Sequence, residues 1–341
     1  MKMVLKICSA LFLTALLVGC NSNENENEKR TKCEKLTPTE ANNVDLDENE
    51  AKIYQNSIYH WKTFFDLDSS DVTFLTKHNV KRIYLKMFDV APENNLLDGQ
   101  SEIVPIATTI FLTEIPENIE IVPVTYITID ALRQMAGKEQ EFASLIVERL
   151  LNMASYNNCG EIREIQIDCD WTGSTRESFH YLCKCIKDIL DSINIELSIT
   201  IRAHQLRESP PPADRGVLML YNTGDLKSRS TKNSILNIDD ITPYLKKKKF
   251  PIPLDYAYPT FGWGVLFDGD EFKSIVDEER LEVNRSEYIR RERASIDEIL
   301  EVKELVENKM GKPSRANIIY HLDQSQLEKY SDEDINKIFN N

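Results

Sequence analysis

Short runs of β-branched and aromatic residues alternate with segments of helical periodicity along most of the chain. An apolar run over residues 57–64 is followed by a helical pattern over 70–78 and by a second apolar run over 80–89. Six further runs have the length and composition of strands: 119–127, 164–170, 195–202, 216–222, 251–258 and 317–322. Eight strands with intervening helices predict an α/β fold, a TIM-like (β/α)8 barrel.

Two of the predicted helices have chemically marked ends. Helical periodicity covers residues 139–156, 174–193, 239–249, 295–310 and 326–339. Ser174 with Glu177 and Ser295 with Glu298 have the spacing of capping boxes, which satisfy free backbone N–H groups at a helix start. Gly311 then predicts the end of the fourth of these helices.

The alternation of strands and helices is incomplete, which predicts an irregular barrel. No clear helical pattern separates the second strand from the third or the fifth from the sixth. Pro123 removes a hydrogen-bond donor from the third strand. The apolar stretch over residues 103–112 is long enough to form a hairpin arm in place of the second helix.

The first residues have the pattern of a secretory signal. Lys2 and Lys6 precede an apolar run over residues 7–18, which is too short to span a bilayer. The segment closes with Leu-Val-Gly-Cys at residues 17–20, which resembles the lipobox of bacterial lipoproteins. This resemblance implies a signal peptide over residues 1–19 and acylation of Cys20, for example with palmitate. An ordinary signal peptide or a short hydrophobic anchor is the alternative.

The rest of the chain divides into a tether and one domain. Residues 20–44 are dominated by Asn, Glu, Lys and Thr, so they bury too little apolar surface to fold and form a lipidated flexible tether. Residues 45–341 contain every predicted strand and suit one large barrel domain. The predicted location is the bacterial cell membrane or outer membrane, outside the cytoplasm and held by lipid.

Charge and cysteine content exclude several classes of protein. The chain has 41 Lys and Arg against 56 Asp and Glu, a formal net charge of −15, which repels nucleic acid. Of seven cysteines, Cys8 lies in the signal and Cys20 at the lipid site, which leaves an odd number and no disulfide framework. Cys183 and Cys185 are two residues apart on a predicted helix, so they point in different directions and do not share a metal.

The fourth predicted strand ends in a row of polar side chains. Gln166, Asp168 and Asp170 alternate with apolar residues, so we expect them to face the barrel axis. Functional sites of parallel barrels form at the C-terminal ends of the strands. Two neighbouring carboxylates are costly to bury unless they share a proton, hold a ligand or bind a metal. Asp168 and Asp170 are therefore the candidate catalytic residues.

These segments resemble a known family of enzymes. Ile-Asp-Cys-Asp-Trp at residues 167–171 is similar to the end of the fourth strand in family 18 glycoside hydrolases, whose pattern is Asp-Gly-x-Asp-x-Asp-x-Glu. Gly-Val-Leu-Met-Leu-Tyr-Asn at residues 216–222 is similar to that family's sixth strand, which lines the sugar subsite. With Leu-Ser-Ile-Thr at 197–200, they also resemble an uncharacterised group of related bacterial barrel proteins. The resemblance covers roughly residues 160–265.

The departures from the family pattern put hydrolysis in question. Ile165 and Gln166 stand where the family has Asp and Gly, and Thr172 stands where it has the general-acid Glu. Threonine cannot protonate a leaving oxygen, and loss of a positioned acid costs roughly 10²- to 10⁴-fold in rate. Glu177 is nearby in sequence, but the capping box already accounts for it.

The resemblance implies specific roles if the family's substrate-assisted chemistry is retained. Asp170 would steer a sugar acetamide, Asp168 would tune Asp170, and Tyr221 with Asn222 would bind the same group. Alternatively, Asp170 is itself the acid, because two adjacent carboxylates cannot both ionise cheaply. In a third interpretation the pair is structural and bonded to Arg202 or to backbone amides.

Other strand ends supply further polar and aromatic side chains, and aromatic rings can stack on the apolar faces of sugars. His60, Lys86, Asp89 and His321 also lie at strand ends, but the histidines have no metal-ligand spacing, so neither a metal nor another cofactor is predicted. The candidate substrate-binding residues are Gln166, Trp61, Tyr126, Arg202, His204, Tyr221, Asn222, Asp255 and Trp263.

Three functions remain open. The first is a membrane-anchored lipoprotein that handles glycans as a glycoside hydrolase with an altered acid, which the pair Asp168 and Asp170 favours. The second is a non-catalytic barrel that binds a saccharide for a neighbouring glycan-uptake system, which Thr172 favours. The third is a structural or assembly role, which predicts a barrel mouth sealed by side chains.

Overall fold

A computed structural model describes residues 55–94, 100–245, 249–281 and 284–340. Eight parallel strands pair in sequence order, and the last pairs with the first, so the barrel is closed and the predicted fold is confirmed. The strands are β1 (Asn56–His60), β2 (Val80–Asn94), β3 (Glu120–Ile127), β4 (Glu164–Asp168), β5 (Glu196–Arg202), β6 (Arg215–Met219), β7 (Leu254–Pro259) and β8 (Asn317–Tyr320). The predicted signal peptide, Cys20 and the tether lie outside the described residues.

The helices lie between the strands and cover the barrel. They are α1 (Ser69–Lys77), α2 (Ile129–Gln134), α3 (Glu139–Tyr156), α4 (Arg176–Ser192), α5 (Ile238–Ile241), α6 (Ile296–Met310), α7 (Gln324–Leu327) and α8 (Asp332–Phe339). Among the residues that the structure describes, none of these helices has the length and apolar character needed to cross a membrane.

Of the two capping boxes predicted from the sequence, the structure contains one. Ser295 and Glu298 form the predicted capping box of α6, which ends at Gly311 with φ of +93°. Ser174 does not cap α4, because this helix begins at Arg176. The Ser174 hydroxyl is instead hydrogen-bonded to the hydroxyl of Thr172. The predicted helix over residues 239–249 is also shorter than expected: α5 gives way to a 3₁₀ turn (Thr242–Tyr244) that contains a proline.

The irregular connections were correctly placed. β2 extends beyond the barrel and pairs antiparallel with strand Ser101–Ile106, which confirms the hairpin arm. Strand Ile110–Phe111 then pairs with Phe64–Phe65 beside the end of β1. A short 3₁₀ turn, Ala203–Arg207, follows β5 in place of a helix.

A three-stranded antiparallel sheet between β7 and α6 was not predicted. Its strands are Gly262–Asp268, Glu271–Val276 and Glu287–Arg293. The run of Arg and Glu at residues 290–293 has a composition typical of an exposed helix face, but it lies in the third of these strands. Arg290 and Glu292 are buried and hydrogen-bonded to each other. Glu292 also accepts hydrogen bonds from Trp263 and from Ser234 in the loop after β6, so this charged run packs inward.

The end of the barrel opposite the mouth is closed by buried ion pairs. Asp255, the second residue of β7, is fully buried and accepts hydrogen bonds from Arg215 Nη1 at 2.8 Å and from the backbone N–H groups of Arg315 and Ala316. From the sequence, Asp255 was placed among the substrate-binding residues at the mouth. This placement was wrong, because Asp255 lies at the opposite, N-terminal end of its strand. Both of its oxygens serve to hold the N-terminal ends of β6, β7 and β8 together.

Replacing Asp255 with alanine should lower the free energy of unfolding by about 3–5 kcal/mol, because the buried Arg215 would keep only its longer contact with the more exposed Glu196 and two backbone N–H groups would lose their acceptor. Urea unfolding monitored by circular dichroism measures this loss. The control is Asp188→Ala, which removes an exposed partner of Lys184 on α4 and should change stability by no more than about 1 kcal/mol. Equal effects of the two substitutions would contradict the assignment.

Candidate functional site

The two predicted catalytic carboxylates both lie at the C-terminal mouth of the barrel. Asp168 is the last residue of β4, only 4% of it is exposed, and its Oδ1 accepts a hydrogen bond of 2.5 Å from Thr200 on β5. Asp170 lies two residues further on and is half-buried. Its Oδ1 is 2.5 Å from Nε of Arg202, so the two side chains form an ion pair at the rim.

Gln166 lies one layer below Asp168 and fills the barrel. Its side-chain oxygen accepts a hydrogen bond of 2.7 Å from the Tyr59 hydroxyl, and its amide nitrogen donates to Ser198 at 3.2 Å. The whole residue is buried. The structure therefore places this candidate beneath the mouth, with both ends of its amide already bonded.

Burial sets the protonation behaviour of the acidic pair. Burial raises the pKa of Asp168 to about 6; Arg202 opposes this shift and the Asp170 carboxylate adds to it. Tyr126 faces the same pair, and burial together with the charges of Asp170 and Asp168 raises the pKa of its hydroxyl. The mouth thus contains one carboxyl group that exchanges its proton near neutral pH beside a phenol that stays protonated.

An open pocket of about 270 Å³ lies beside the Asp170–Arg202 pair. It brings together Arg202, His204, Tyr221 and Asn222, all predicted as substrate-binding residues. Asn222 has a φ of +54°, a left-handed conformation that asparagine tolerates better than most residues and that turns the chain directly after β6. Asp240 and Tyr244 also line the pocket but were not predicted, because they come from the short helical segment after that loop.

Aromatic rings form a row across the mouth. The Trp61 and Tyr320 ring centroids are 5.9 Å apart, and those of Tyr320 and Tyr221 are 4.5 Å apart. Trp263 continues the row through Phe261, at 5.2 Å. Tyr320 and Phe261 were not predicted from the sequence. The only available signal was the alternation along β8, which places Tyr320 on the inward row.

Two residues that follow the acidic pair, Trp171 and Thr172, supply neither a sugar-stacking surface nor an acidic group. Trp171 packs against Phe179 on α4 and is buried. Thr172, at the position of the family's general acid, is exposed, and its hydroxyl bonds only to Ser174 within the described part of the chain. No group of three or more His, Cys, Asp or Glu side chains among the described residues is arranged to hold a metal ion.

Comparison with known proteins finds similarity at the level of structure. No family model and no curated protein matches the sequence. A chitinase from Chromobacterium violaceum superposes with a TM-score of 0.51 at 9% identity, over 84% of this chain and 98% of that one. The Group IV chitinase of Ostrinia furnacalis with allosamidin gives 0.50 at 11% identity, over 84% and 97%. At these identities the likeness shows a shared barrel fold.

The raised pKa of Asp168 predicts a pH-dependent effect of the substitution Asp168→Asn. Native Asp168 holds its proton up to about pH 6, whereas the unfolded chain releases it near pH 4. Below about pH 4, Asp168 is protonated in both states. As the pH rises from about 4 to about 6, the unfolded chain releases this proton more readily than the native state, so the free energy of unfolding of the wild type falls. The stability of Asp168→Asn relative to wild type should rise between pH 4 and pH 7.

Urea unfolding at several pH values measures this difference, with the exposed Asp188→Asn on α4 as a matched control. A relative stability of Asp168→Asn that stays constant or falls over this range would contradict the assignment.

Proposed function

We propose that the C-terminal mouth of the barrel binds a glycan. The observation that carries this proposal is the Asp170–Arg202 ion pair at the edge of an open pocket, next to the aromatic row from Trp61 to Tyr221. Charged groups in hydrogen-bonding positions beside aromatic faces suit a ligand with polar hydroxyls and an apolar ring face. The fold shared with chitinases supports the same choice of ligand.

The geometry favours capture of the glycan over its hydrolysis. Thr172 supplies no acid, and the Asp170 carboxylate that the family would use to steer an acetamide is bonded to Arg202. An open pocket at the mouth also argues against a purely structural barrel. A capturing lipoprotein would serve a neighbouring glycan-uptake system.

One observation favours hydrolysis as a second candidate. The pKa of Asp168, raised to about 6 by burial, suits a group that gives up a proton near neutral pH. In this alternative the acid function has moved from the position of Thr172 to the acidic pair, with either Asp168 or Asp170 protonating the leaving oxygen.

Replacing Trp61 with alanine should weaken glycan binding by roughly tenfold, because the sugar loses a stacking surface. Calorimetry on full-length protein in mild detergent, with a panel of chitin, cellulose and xylan oligosaccharides, measures affinity while chromatography records released products. Tyr156→Ala, at an exposed position at the end of α3, is the control.

The panel also separates the candidate functions. Binding without products supports capture, whereas turnover that Asp170→Asn abolishes supports hydrolysis. If the protein neither binds nor cleaves any member of the panel, the proposed glycan function is wrong.

We further propose that lipid on Cys20 holds the protein on the outer side of a membrane. The charged start, the short apolar run and the cysteine at the end of the signal support this location. Full-length chain should incorporate labelled palmitate and sediment with membranes, and Cys20→Ser should lose both properties. Cys33→Ser is the matched control and should retain them. Labelling that survives Cys20→Ser would overturn the proposed anchor.

A further inference from the structure

A third carboxylate reaches the mouth because β2 contains a bulge. Lys86 pairs with Val124 on β3, but the register then shifts so that Asp89 pairs with Tyr126. Tyr126 in turn pairs with Asp168 on β4. Strict alternation from Lys86 would direct Asp89 to the outer side of the barrel, whereas the bulge returns it to the inward row.

Lys86 and Asp89 form an ion pair beside Trp61. The Lys86 Nζ atom is 3.2 Å from Asp89 Oδ2 and 5.8 Å from the centroid of the Trp61 ring. The Lys86 side chain is 6% exposed and that of Asp89 is 19% exposed. Within the described residues, Oδ1 of Asp89 has no hydrogen-bond partner. A buried charged pair with an unsatisfied oxygen is costly, so a ligand hydroxyl that came within hydrogen-bonding distance of this oxygen would supply the missing bond.

The same arrangement occurs on the other side of the mouth. Arg202 pairs with Asp170, and its guanidinium lies 5.5 Å from the centroid of the Tyr221 ring. Its Nη1 atom has no hydrogen-bond partner among the described residues. The ring of Tyr320 lies between the two arrangements and contacts both Trp61 and Tyr221.

We propose that Trp61, Lys86 and Asp89 form a second sugar subsite, so that the mouth takes a neutral oligosaccharide of at least two residues. This inference rests on the proposed glycan function. One sugar would lie against Trp61 and the next in the pocket beside Arg202, with the linkage passing Tyr320. Each ion pair offers a donor and an acceptor to sugar hydroxyls, and each is neutral as a pair, so neither selects a charged ligand.

The test is the gain in affinity from a second sugar residue. Full-length protein is titrated with N-acetylglucosamine and its dimer, and in parallel with glucose and cellobiose. Wild type should bind at least one dimer more tightly than its monomer. Asp89→Asn should reduce this dimer-over-monomer ratio roughly tenfold, the expected effect of losing a charge-assisted hydrogen bond.

Lys86→Met keeps the length of the side chain without its charge and should reduce the ratio similarly, so the test does not depend on one variant. Asp188→Asn on the outer face of α4 should leave it unchanged. If either Asp89→Asn or Lys86→Met folds and retains the wild-type ratio, the second subsite is overturned while the glycan function stands. Failure of wild type to bind any of the four sugars would overturn both.

Discussion

Closure of the eight strands is the constraint on which the site depends, because each inward polar side chain must find a partner inside the barrel or at its ends. Asp255 meets this requirement at the lower end through Arg215 and backbone N–H groups, and Gln166 meets it in the middle through Tyr59 and Ser198. At the mouth, Asp89 Oδ1 and Arg202 Nη1 are among the buried atoms of the described residues that have no hydrogen-bond partner. These two atoms lie beside the open end of the barrel, where a ligand can supply the missing partners.

The architecture was largely predictable because the periodicity of each element reflects its burial. All eight barrel strands were located, and α3 begins and ends where its pattern does. The inserted sheet was missed because its charged residues are buried in pairs, so the strand Glu287–Arg293 does not show the alternation of a half-exposed strand. Local composition cannot reveal that the partner of an arginine lies two residues away on the same buried face.

The site was predicted in part for similar reasons. Asp168 and Asp170 follow from alternation along β4, which continues undisturbed to the mouth. A polar residue within an apolar run does not indicate which end of the strand it occupies, and so Asp255 was placed at the wrong end. Lys86 and Asp89 were recognised as residues at a strand end, but their shared orientation depends on a register shift that the sequence does not display.

The hydrogen bonds to Glu292 have a consequence for how this barrel can be dissected. This carboxylate, on the third strand of the inserted sheet, accepts hydrogen bonds from Trp263 on the first strand and from Ser234 in the loop that follows β6. A minimal domain made by deleting the insert would lose Glu292 and leave the buried Ser234 hydroxyl without this acceptor. The insert thus supports the loop that follows β6, and excising it would disturb the segment that carries Asn222.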